Sequence, residues 1–154
     1  MDTVFYNLLQ AIGYGHPLHP VLTHLVIGPV IAALLFALMG WIAKRPTFFR
    51  TARHMTVLAF IFWFFAAGIG VIDWIHFYNA STDIPQIQIK AIVAGILLVI
   101  LVVTIVLNRR WPEDSKRPIL LYLLAVACVV ILGFEGGDLV FGSHTSLATL
   151  VNLA

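Results

Sequence analysis

The chain has 154 residues, 61% of them hydrophobic and 10% charged, with a formal net charge of +2. Soluble domains are typically about 45–50% apolar and about 25% charged, so this composition excludes an ordinary water-soluble globule, and the small net charge gives no basis for nucleic-acid binding. The single cysteine, Cys128, rules out an intramolecular disulfide and leaves the redox compartment unread.

The first predicted element lies in residues 1–14, where Val4, Phe5, Leu8, Leu9 and Ile12 recur at helical spacing. The stretch is too short to span a bilayer and lacks the basic start of a cleavable signal. It reads as a short amphipathic helix lying in the membrane interface. Residues 15–154 read as a single domain. A spanning helix needs roughly 20 predominantly apolar residues, and four stretches supply them, over 20–43, 54–78, 89–107 and 118–140. Pro46, Pro85 and Pro112 are placed to mark the connections, and Pro118 to start the last helix. Short connections make neighbouring helices antiparallel. Backbone groups in hydrocarbon must be satisfied internally, and no alternating barrel pattern is present. The expected fold is all-α: a four-helix transmembrane bundle with a short N-terminal interfacial helix.

The basic residues set an expected orientation. Lys44, Arg45, Arg50 and Arg53 flank the first connection, Arg109, Arg110, Lys116 and Arg117 flank the third, and only Lys90 lies at the other side. The positive-inside rule then places the first and third connections in the cytoplasm and both termini outside, in a bacterial-type inner membrane.

That orientation gathers the ionisable residues at one end. His16, His19 and His24 fall at the outer end of the first helix, Asp73 and His76 at that of the second, and Glu135, Asp138 and His144 at that of the fourth. His54 alone among the histidines sits at the inner side, where it reads as a solvated end residue. Ionisable groups at membrane depth are costly and usually face the bundle interior for a functional reason. Asp73 and His76 are three apart, as are Glu135 and Asp138, so each pair shares a helical face. Gly28 and Ala32 follow His24 at intervals of four, and Ala66 and Gly70 precede Asp73. Small residues permit close helix approach, so the faces carrying His24 and Asp73 are expected to point inward, with His24 roughly 6 Å below the start of its helix at about 1.5 Å per residue. The two His-Pro steps hold the chain extended before the helix.

Three motifs carry a family resemblance. His16-Pro17-Leu18-His19-Pro20-Val21-Leu22-Thr23-His24-Leu25-Val26-Ile27-Gly28 resembles the opening of the membrane family known as domain of unknown function 2231. Gly70-Val71-Ile72-Asp73-Trp74 resembles the ending of its second helix, and Gly136-Gly137-Asp138-Leu139-Val140-Phe141 that of its fourth. The family is similar in layout to small four-helix b-type cytochromes, and some relatives stand beside Rieske-type iron–sulfur proteins, so the resemblance implies a membrane redox role. Two departures stand out. The histidine usual near the start of the third helix is missing from Gln86-Ile87-Gln88-Ile89-Lys90, and the one after the fourth-helix motif is displaced by a residue, to His144.

Three functions compete on these residues. Haem b would take two facing imidazoles with apolar walls, from His24 with His76 or His144, while His16 and His19 supply hydrogen bonds and Asp73, Glu135 and Asp138 support them. A non-haem site on the same histidines and acids would suit zinc, copper or iron. An accessory subunit of a larger membrane complex would need no cofactor, the polar cluster serving as a docking surface for a periplasmic partner. No phosphate loop or nucleophile–base motif is present.

Overall fold

The computed structural model describes residues 17–82, 84–112 and 117–141 (the last four by backbone only), with Tyr6, Asn7, Gln10, Ala11 and Gly13. Four helices account for most of these residues: α1 (His19–Ala43), α2 (Pro46–Tyr78), α3 (Pro85–Arg110) and α4 (Pro118–Phe141). All four are long and apolar enough to cross a membrane. Contacts α1–α2, α2–α3, α3–α4 and α4–α1 close a ring, with α1–α2 the most extensive seam and α2–α3 the slightest. Of the expected N-terminal helix, Tyr6, Asn7, Gln10 and Ala11 are helical; Val4, Phe5, Leu8, Leu9 and Ile12 lie outside the described residues.

All four helices begin at or beside a proline, because the first turn has donors to spare and proline presents none. This shifts two expected boundaries. Pro46 and Pro85 are the first residues of α2 and α3 rather than parts of connections, and the first connection shrinks to Lys44 and Arg45. Apolar windows miss such ends, because helical hydrogen bonding continues past the hydrocarbon into the basic Pro46–Arg53 stretch. At about 1.5 Å per residue, the 33 residues of α2 extend well past a hydrocarbon layer of about 30 Å. Left-handed residues end the first two helices: Lys44 (φ 52°) turns its N–H to Gly40 O, and Asn79 (φ 51°) turns its N–H to Trp74 O.

The core runs the length of the bundle in two clusters. Val26, Val30, Ala59, Ala66, Leu97, Leu101, Ala125, Cys128 and Val129 bring all four helices together. Ala33, Ala37, Phe49, Ala52 and Tyr122 form the second, towards the basic end. The buried stripe of α1 is therefore Val26, Val30, Ala33, Ala37 and Gly40, and Gly40 is so close to α2 that an added Cβ would lie 2.8 Å from the Phe49 ring. The expected His24, Gly28, Ala32 stripe is not the inward one. His24 and Gly28 are exposed, and an added Cβ at Gly28 would meet nothing within 4 Å. Two residues from Val26 is about 200° around a helix of 3.6 residues per turn, so His24 is turned away whenever Val26 is buried. Large apolar side chains such as Ile42, Leu120, Phe134 and Phe65 face outward, as lipid solvation requires.

The α1 register gives a direct test. Ala37→Leu forces a branched side chain into a seam where Ala37 is 0% exposed and should cost about 1–3 kcal/mol by overpacking. Gly28→Leu should leave stability unchanged or raised. Thermal unfolding in detergent checks both; equal behaviour would contradict this packing.

Candidate functional site

The end of the bundle away from the basic connections is organised by the first donor of α1. The opening N–H groups of a helix have no intrahelical partner. In α1, Pro20 has no N–H, and Val21 N and Leu22 N both reach back to Leu18 O. That leaves the N–H of His19, which donates to Asp73 Oδ2 on α2 at 2.8 Å. A carboxylate from the neighbouring helix thus caps α1, where the helix dipole favours negative charge.

The His19 side chain completes the junction. Its Nδ1 lies 2.9 Å from Ala66 O; a carbonyl only accepts, so Nδ1 carries the proton and Nε2 keeps the lone pair. The ring rests on the backbone of α2 at Gly70, where an added Cβ would stand 2.7 Å from Nδ1. The expectation that Ala66, Gly70 and Asp73 share an inward face therefore matches the structure, and the α1 residue meeting them is His19.

Asp73 is 4% exposed, and its second oxygen accepts a hydrogen bond from the hydroxyl of Tyr6. Tyr6, fully buried, also stacks on His76 with ring centroids 4.2 Å apart and 16° between planes, and meets Phe77 edge-on. Asp73 and His76 are thus joined through Tyr6, each using a different part of it. From α3, Lys90 comes within electrostatic reach of Asp73, Glu135 and His19. Its Nζ would be 3.8 Å from a Cβ on Gly136, next to Glu135, which is 1% exposed. Each helix therefore places an ionisable residue at this level, His19, Asp73, Lys90 and Glu135, and α2 adds His76.

His24 stands apart from the cluster. It is exposed, and its Nδ1 lies 2.7 Å from Pro20 O in its own helix. His16 and His144 fall outside the described residues, as does the side chain of Asp138. Among the described residues, no group of three or more His, Cys, Asp or Glu is arranged to hold a metal ion. His19 rests against Gly70, His24 is turned outward and His76 stacks on Tyr6.

The sequence of the family described as predicted membrane protein (DUF2231) matches residues 15–148. The chain belongs to this family. It is a membrane protein, and the matched span takes in all four helices and the His-Pro motif. No curated protein and no solved structure matches the chain.

Sequence reasoning missed Tyr6 and Lys90. Lys90 carries a signal, being the single charged residue in the apolar stretch 89–107 and the lone base at its end of the bundle. Tyr6 carried none, because the apolar periodicity of its segment singles out Val4, Phe5 and Leu8 instead.

Two outcomes test this arrangement. Alanine normally gains about 1 kcal/mol over glycine inside a helix, so Gly68→Ala, with open space around the added Cβ, should raise stability while Gly70→Ala lowers it by displacing His19. Lys90→Met should cost about 3–5 kcal/mol, because it leaves buried carboxylates without their cation. The double variant Lys90→Met, Glu135→Met should lose less than Lys90→Met alone. Chemical or thermal unfolding in detergent reads both.

Proposed function

We propose that this protein is an accessory subunit of a larger membrane complex, working through its membrane-embedded sides and without a cofactor of its own. One observation carries the reading: Asp73, the buried carboxylate at the centre of the site, spends both of its oxygens within the chain. Asp73 gives one oxygen to Tyr6 and the other to His19, and Lys90 serves Asp73 and Glu135 together. Such groups fasten four helices to one another and leave little for a substrate. The lateral surface is apolar almost throughout, and the first connection is two residues long, so binding energy for a partner has to come from helix–helix packing. The eight-to-one distribution of basic residues supports an inner-membrane orientation with the first and third connections cytoplasmic and both termini outside.

A second reading, membrane electron transfer by haem b, is favoured by the tautomers of His19 and His24. Both have Nδ1 on a backbone carbonyl, the arrangement that orients an imidazole for metal ligation through Nε2. Because His24 is exposed, a group bound to it would lie between this chain and a neighbour, with His76, His144 and His16 as further candidates. Zinc, copper or iron would suit the same nitrogens.

Visible spectra and metal analysis of the purified protein, with a native gel of solubilised membranes, separate the two. The accessory reading expects no α band on dithionite reduction, no stoichiometric metal, and migration well above the mass of the chain. An α band that disappears in His24→Ala or His76→Ala would overturn it in favour of electron transfer.

A further inference from the structure

At the basic end, α2 and α3 leave a groove of about 210 Å3 lined by Arg53, Val57, Ile105, Asn108 and Arg109. Its floor holds a polar atom with an unmet need. Asn108 is 5% exposed, and its Oδ1 is buried without a hydrogen-bond partner among the described residues. Asn108 Nδ2 donates to the Tyr122 hydroxyl at 3.0 Å, which leaves Oδ1 as the atom of this amide in need of a donor.

The rest of the groove has the opposite chemistry. Arg53 uses Nη2 to bind Trp111 O at 3.1 Å and Pro112 O at 2.8 Å, which holds the guanidinium at the end of α3 with its other nitrogens making no hydrogen bond to a described residue. Arg109 stands exposed beside it. Guanidinium groups pair with phosphate through several parallel hydrogen bonds. Val57 and Ile105 form apolar walls, and one turn further towards the middle of the bilayer Ile61 and Val102 continue the same faces, both exposed.

We propose that this groove binds an anionic phospholipid whose headgroup carries a free hydroxyl, of the phosphatidylglycerol type. The phosphate meets Arg53 and Arg109, a headgroup hydroxyl donates to Asn108 Oδ1, and an acyl chain runs along Val57, Ile61, Ile105 and Val102. Basic recesses between transmembrane helices are suited to anionic headgroups. A choline headgroup has no hydroxyl or N–H to give Asn108, and a free phosphoglycerol has no chain to cover the apolar walls. The site lies at the other end of the bundle from the charge cluster and is independent of the function proposed above.

The test uses the full chain, delipidated in detergent, with native mass spectrometry and thermal unfolding as readouts. The probes are dioleoyl phosphatidylglycerol, dioleoyl phosphatidylcholine and glycerol 1-phosphate. Phosphatidylglycerol should bind one per chain and raise the unfolding temperature, and the other two should do neither at matched concentration. Arg109→Gln and Asn108→Leu should each weaken that binding about tenfold, the loss of one hydrogen bond to a charged or buried group. Lys44→Gln, a base at the end of α1, should leave it unchanged. Arg109 is exposed, so its variant decides the matter even if Asn108→Leu does not fold. Equal binding of phosphatidylcholine, stabilisation by glycerol 1-phosphate alone, or equal losses in Lys44→Gln and Arg109→Gln would each overturn the proposal.

Discussion

The N–H of His19 has no acceptor in its own helix, and the carboxylate of Asp73 supplies one at 2.8 Å. Hydrocarbon offers no water to take that place, and an unsatisfied backbone donor there costs several kcal/mol. Much of the surrounding arrangement follows from meeting this need with a charged group. A carboxylate at membrane depth is itself expensive, so its other oxygen is taken by Tyr6 and its charge is balanced by Lys90. For α1 to start at this height its first side chain must lie flat on α2, which requires the bare backbone at Gly70 and gives the imidazole its bond to Ala66.

The same logic explains why the His-Pro-Leu-His-Pro stretch has its composition. Pro20 removes one of the donors that would need a cap, leaving a single N–H at His19 for a single carboxylate oxygen to serve. His19 then acts twice, by backbone and by ring, on residues of α2 that are seven apart, Ala66 and Asp73, two turns along one face. A histidine-rich entry to an apolar helix reads as a ligand set on composition alone. In the folded chain its central member is a fastening between two helices.

The two ends of the bundle solve their polar problems differently. At one end the charges are of both signs, with Asp73 and Glu135 buried, His19 and Lys90 half-buried, and all four helices contributing. At the other they are nearly all basic and mostly exposed, and Arg53 turns one of them to the carbonyls following α3, where the helix dipole favours a cation. Between the ends, closeness comes from small residues. Ala33, Ala37 and Gly40 on α1 face Phe49 and Ala52 on α2, and α1–α2 is accordingly the most extensive seam. The α2–α3 seam has no such stripe and is held at mid-depth by Trp63, whose indole N–H reaches Ala94 O at 3.1 Å.

The sequence by itself determined the number of helices, their membrane character, their antiparallel order and the family. These follow from apolar run length and from three motifs, which survive any detail of packing. It also picked Asp73, His19 and Glu135 as residues of one end, since depth along a helix can be counted from the sequence. Which way a residue faces could not be counted in the same way. In a helix solvated by lipid both faces are apolar, so hydrophobic periodicity carries no direction, and the small-residue rule points to the His24, Gly28, Ala32 stripe of α1 where the buried one holds Ala33, Ala37 and Gly40. Tertiary structure decided that choice, and with it the outward turn of His24. It also decided the partners of Asp73, because Tyr6 and Lys90 reach it from segments 67 residues before it and one helix after it, and sequence spacing does not say which distant residues meet.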